Sequence, residues 1–224
     1  MTTTELLPAI EIETGANPTA SVIWLHGLGD DGHGWSAVVP QLGLPKSLST
    51  RFLFPHAPVM PVTINNGIAM RAWYDIKAAN LTERADVAGV RQSQTQVEAL
   101  IAQERARGIA SRRIVLAGFS QGGAIALYTG VRHAERLAGV VALSTYLIDP
   151  PNLVAQASPA NRDLPIFMAH GTHDPVIHLT WADTSRRALE AAAWTVEWHV
   201  YPMEHSATLE EIEAVGKFLR RVLA

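Results

Sequence analysis

The run Ile114-Val115-Leu116-Ala117-Gly118-Phe119-Ser120-Gln121-Gly122-Gly123-Ala124-Ile125-Ala126-Leu127 decides the fold of this chain. Its first four residues are apolar and mostly branched, as in a strand buried on both faces. The residues that follow the glycines are small or apolar without alternation, which predicts a helix over 122–131 packed against a sheet on most of its sides. Gly118 and Gly122 stand two residues either side of Ser120. Glycines there remove side chains that would clash, so the serine can take a strained backbone and project its Oγ from a sharp strand-to-helix turn. The pattern G-x-S-x-G recurs by chance; strand, motif and apolar helix in that order make Ser120 the candidate nucleophile.

Outward from this run, apolar stretches at 22–25, 52–54, 140–143, 166–169 and 196–200 read as further strands, most of them central and parallel, with 9–12 as an edge strand. They alternate with segments of helical period at 86–107, 179–193 and 209–223, the first of which stops at Gly108. The alternation predicts an α/β protein, one domain over 1–224 with a mostly parallel central sheet and helices on both faces. Residues 57–75 resist this scheme, mixing prolines, Asn65, Asn66 and Gly67 with Val59, Met60, Ile64, Ile68, Met70 and Trp73. They are expected to form a long apolar loop that either lines a substrate groove or folds onto the body.

Composition removes several function classes. The 224 residues include no cysteine, which excludes disulfides, cysteine zinc sites and a thiol nucleophile. A net charge of −3 and the lack of a Lys/Arg-rich run leave no field for nucleic acid. The N-terminal stretch has no basic, apolar leader, and no uncharged apolar run of about 18 residues occurs. A cytoplasmic protein without membrane insertion is expected.

A serine hydroxyl needs a base, and the base needs a third group to fix its tautomer. Asp174, in His170-Gly171-Thr172-His173-Asp174, follows a strand by a few residues, at the sheet end where open α/β folds gather catalytic groups. His205, in Met203-Glu204-His205, lies between the last strand and the last helix. The order Ser, Asp, His suits an α/β-hydrolase. With nine histidines, other bases stay open: His199 inside a strand, His173 beside the acid, His170 at a strand end. Asp163, before its strand, and Asp149, beside two prolines, are the other acids. Leu25-His26-Gly27-Leu28-Gly29-Asp30 follows the first core strand, and its glycines let backbone approach a substrate. The amides of Leu28 and Gln121 are therefore the candidate oxyanion donors. Dinucleotide and Walker patterns are absent, which counts against a phosphate loop, and without H-E-x-x-H no metal is expected.

These motifs, with Phe54-Pro55-His56-Ala57-Pro58 and Arg71-Ala72-Trp73-Tyr74-Asp75, resemble in type and order those of the phospholipase/carboxylesterase family, which includes bacterial carboxylesterases and acyl-protein thioesterases. The resemblance runs most of the length. It implies an α/β-hydrolase fold without a large cap domain, no cofactor, a small-molecule ester as substrate, and the triad Ser120, Asp174 and His205. It also implies that the loop ending in Trp73 helps form the acyl site, so Ile64, Met70, Trp73 and Val176 are the substrate-binding candidates. Met203-Glu204-His205 departs from the pattern, since many relatives place glycine before the histidine. The expected reaction is hydrolysis of short- to medium-chain carboxylic esters through an acyl-enzyme. The alternatives are an acyl-protein thioesterase or lysophospholipase acting on longer chains and, in another class, a non-catalytic hydrolase-fold binding protein. The apolar loop is also a candidate surface for a homodimer.

Overall fold

A computed structural model describes residues 6–78, 80 and 85–224, so residues 1–5 of the N-terminal stretch lie outside it. Among the described residues the strands are β1 Ala9–Glu13, β2 Ala20–Leu25, β3 Thr50–Pro55, β4 Val59–Val62, β5 Ile68–Arg71, β6 Ile114–Phe119, β7 Gly139–Leu143, β8 Ile166–Gly171 and β9 Val196–Tyr201. The α-helices are α1 Gly32–Ser36, α2 Val87–Ala106, α3 Gln121–Gly130, α4 Leu153–Gln156, α5 Leu179–Ala191 and α6 Leu209–Val222. Seven strands form one sheet in the order β1-β3-β2-β6-β7-β8-β9. Only the β1–β3 pair in it is antiparallel.

Side chains alternate across this sheet, and both faces are covered. Ile23, Leu25 and Leu116 face a core shared with Val90 and Val97 of α2, Ile125 of α3 and Leu189 of α5. Val22, Trp24, Val115 and Ala117 face the other core, with Val215, Phe218 and Leu219 of α6. Each such side chain contributes roughly 1.5–3 kcal/mol on burial, so the continuous apolar strands and the amphipathic helices hold each other in place. This is the α/β-hydrolase fold. Every residue of α3 is buried, as its lack of a polar face requires. Asp86 caps α2, accepting from Gly89 N–H at 3.1 Å, and Gly108 ends that segment at φ 95°.

The expected strands all form, with ends displaced by two residues at most. Two readings change. The strand over 196–200 is the open edge of the sheet, half-exposed because Glu197 and His199 alternate with its apolar residues. Residues 57–75 are not a long loop: β4 and β5 pair antiparallel, Met60 opposite Met70 and Val62 opposite Ile68. Asn66 and Gly67 close the turn at φ 56° and 74°, and Gly67 N–H bonds Val62 O at 3.0 Å. Asn-Gly supplies the left-handed backbone such hairpins need. Pro61 is tolerated because a two-stranded ribbon consists of edges.

Candidate active site

β6 and α3 meet at Ser120, held at φ 54°, ψ −119°. A residue other than glycine in such a conformation stores about 1–3 kcal/mol of strain. Close backbone approach explains the flanking glycines. A Cβ on Gly118 would land on the backbone of Gly122, and a Cβ on Gly122 on the carbonyls of Leu25 and His26. The end of β7 clamps the serine from the other side. Ser120 N–H donates to Leu143 O at 2.8 Å, and Ser120 O accepts from Thr145 Oγ1 at 2.6 Å.

Three loops at the C-terminal ends of the strands bring the proposed triad together. His205 Nε2 lies 2.9 Å from Ser120 Oγ, and His205 Nδ1 lies 2.7 Å from Asp174 Oδ2. The other Asp174 oxygen accepts from Val176 N–H and Ile177 N–H, both at 2.8 Å. Burial by itself would raise the Asp174 pKa, but the bonds from His205 and the two amides outweigh it and hold the carboxyl below its ordinary value. An ionised Asp174 keeps the imidazole proton on Nδ1 and leaves Nε2 to accept from the serine hydroxyl.

The competing residues stand elsewhere. His170 is fully buried, donates Nε2–H to Ile177 O at 2.7 Å, and lies 3.4 Å from Asp174 Oδ2. Burial lowers its pKa, so it braces the acid loop as a neutral ring. His173 meets Thr172 at the surface, and His199 pairs with Glu197 on β9. Asp163 binds Arg136, and Asp149 binds Asn152.

Gln121 opens α3, where the first N–H groups have no intrahelical acceptor, and Leu28 lies in the loop after β2. Among the described residues neither amide donates to a protein acceptor. A network absent from the sequence reading fixes both. His26 donates Nδ1–H to Gly27 O at 2.7 Å and accepts Ala57 N–H on Nε2 at 3.0 Å. Burial lowers its pKa and keeps that tautomer neutral. Trp73 Nε1–H donates to His26 O at 2.9 Å, and Trp73 N–H donates to Gln121 Oε1 at 2.8 Å. Gln121 Nε2 then donates to Tyr74 O at 2.7 Å. Gln121 thus offers an unoccupied amide while its side chain ties residues 73–74 to the serine turn.

A cavity of about 230 Å³ opens on Ser120 and His205. Leu28, Ile76, Phe119 and Val176 are its apolar walls, and Asp30 adds a carboxylate. Of the four expected substrate contacts, Val176 lines it. Trp73 does not, being 1% exposed and committed to His26 and Gln121. Met70 packs half-buried against the core, and Ile64 is exposed in the hairpin turn. Those apolar residues hold or crown the hairpin and stay outside the cavity wall. Phe119 and Ile76 were missed; the one signal for Phe119 is its place beside the serine, where its ring also packs 4.7 Å from that of His205.

Among the described residues no helix is long and apolar enough to cross a membrane. A profile of the phospholipase/carboxylesterase family matches residues 8–223. Acyl-protein thioesterase 1 of Neurospora crassa is 41% identical over 222 residues, covering 95% of this chain and 90% of that protein. The Yarrowia lipolytica protein of the same name is 40% identical, over 95% of this chain and 96% of its own length. The crystal structure of Zea mays acyl-protein thioesterase 2 superposes with a TM-score of 0.87 at 28% identity, over 97% of this chain and 99% of that one.

Proposed function

Because the chain belongs to the phospholipase/carboxylesterase family, a family of carboxylic ester hydrolases, we propose that it is a serine hydrolase releasing acyl groups from thioesters on acylated proteins. From sequence alone, short- to medium-chain carboxylic esters are the first expectation. Relatives of about 40% identity that carry the acyl-protein thioesterase name favour the alternative.

The observation that carries the chemistry is the unbroken line from Asp174 through His205 to Ser120, with hydrogen bonds of 2.7 and 2.9 Å. In the proposed mechanism His205 Nε2 takes the proton as Ser120 Oγ attacks the acyl carbon. The amides of Leu28 and Gln121 receive the oxyanion. Collapse breaks the carbon–sulfur bond, and the thiol leaves with the proton from His205, giving an acyl-enzyme. His205 then deprotonates a water that attacks the same carbon, and the serine regains its proton as the carboxylic acid departs. The apolar walls Leu28, Ile76, Phe119 and Val176 suit the acyl chain.

Cavity size favours a second reading. A volume of about 230 Å³ is below the roughly 300–1,000 Å³ of pockets that enclose drug-sized ligands, which suits a short ester. One series separates the two: a palmitoylated cysteine peptide against p-nitrophenyl esters from acetate to palmitate, for wild type and Ser120→Ala. The thioesterase reading expects kcat/KM highest for the long-chain thioester and lost in the variant. A maximum at acetate or butyrate would replace it with the carboxylesterase, and turnover surviving Ser120→Ala would overturn the nucleophile.

A further inference from the structure

Beyond Leu28, the same loop carries side chains that the proposed hydrolysis does not use. Asp31, His33 and His56 each offer one metal-ligating atom, and the three atoms lie within 4.8 Å of one another. Among the described residues this is the one group of three such side chains so gathered. His56 follows β3, while Asp31 and His33 flank the start of α1, so the cluster joins two loops that are distant in sequence.

The donors are of the right kind. Two imidazoles and a carboxylate are the ligand set of open zinc sites, which complete their coordination with water or substrate. Both hydrogen bonds that the Asp31 carboxylate accepts, from His33 N–H at 2.7 Å and His33 Nδ1 at 3.1 Å, fall on Oδ1. The rings of His33 and His56 lie 5.4 Å apart. Zinc–donor bonds of about 2.0–2.1 Å require donors roughly 3.4 Å apart, so the group has to contract. His33, with 72% of its side chain accessible, is free to do so. His56 Nδ1 accepts from Gly32 N–H at 3.1 Å, and coordination gives up that one bond for a metal–nitrogen bond. The adjoining cleft, about 420 Å³, is lined by Asp30, Asp31, His33 and Arg71. Two carboxylates against one guanidinium leave it negative, which favours a dication.

We propose that Asp31, His33 and His56 bind a divalent transition ion, zinc by their chemistry, and that the bound ion lowers turnover. The link to turnover is local. Asp31 stands three residues after Leu28, and Asp30 lines both the cleft and the Ser120 cavity. His33 supplies most of the contraction, and any share taken by Asp31 would strain the loop that holds the Leu28 amide in place. This second half rests on the proposed role of that amide, whereas ion binding does not.

The test is calorimetric titration of the whole chain with Zn²⁺, in parallel with His33→Ala and His56→Gln, and with Co²⁺ as a spectroscopic substitute. One ion per chain at micromolar affinity is expected, at least tenfold weaker in either variant, with cobalt giving visible bands that both variants lose. Ester hydrolysis by the wild type should fall on adding Zn²⁺ and return with EDTA, while His33→Ala should be insensitive. Absence of binding, or binding unchanged by both substitutions, overturns the site. Binding that leaves turnover unchanged overturns the regulatory half and leaves the site standing. A chain inactive on every ester would instead count against the proposed function, since the titration is independent of activity.

Discussion

At Asp174 four contacts converge on two oxygens: the imidazole Nδ1, two backbone amides, and, at longer range, His170. Asp174→Asn preserves the shape but presents an NH₂ group towards His205, which drives the imidazole proton to Nε2, where it can no longer accept from the serine. A loss of about 10⁴-fold in kcat with KM little changed is expected, read from steady-state hydrolysis of a p-nitrophenyl ester. A loss below tenfold would mean that another group orients the base. At this scale the three side chains were legible in the sequence, because strand ends and the order Ser, Asp, His restrict where each can lie. The second function of Gln121 was not legible. Its side-chain partners, and the Trp73–His26 bond beside them, span 47 or 48 residues, and no local pattern records contacts of that range.

Among the elements, the turn between β6 and α3 carries the tightest constraint. Gly118→Ala places a methyl group inside the backbone of Gly122, so strand and helix must separate. Urea unfolding should show a destabilisation of about 3 kcal/mol, the upper end of the cost of overpacking, with loss of hydrolysis. An unchanged midpoint would show that the turn relaxes more readily than its geometry implies. The strands were legible because burial on both faces writes itself as unbroken apolar runs. β9 was legible as a strand but not as an edge, since strand order depends on crossovers that leave no mark in composition. The β4–β5 hairpin was hidden by Pro58 and Pro61, although Asn66-Gly67 between Val62 and Ile68 was its signature all along.

For the molecule as a whole, Glu211 sets a pH dependence of stability. It lies at the start of α6, fully buried, with neither carboxyl oxygen partnered among the described residues. Burial pushes its pKa from 4.5 up to about 8. The folded state therefore resists ionisation that the unfolded chain undergoes freely. The corresponding stability is complete below pH 4.5 and is lost progressively as the pH rises to about 8. Glu211→Gln removes the titration. Denaturation from pH 4.5 to 9 should show wild type losing a few kcal/mol relative to the variant across that window, and parallel curves would show that Glu211 ionises as readily in the fold as outside it. The same helix also ties itself to residues 42–43, distant in sequence. Gly216 packs on the carbonyl of Leu42, and Arg220 Nη1 reaches Leu42 O and Gly43 O at 3.2 and 2.9 Å. His205 stands only a few residues before α6, so the proposed base is the last of the three triad side chains to be added during synthesis. A nascent chain on the ribosome would then hold its serine turn before residue 205 has been made, and hydrolytic competence would arrive only after His205 has emerged to meet that turn.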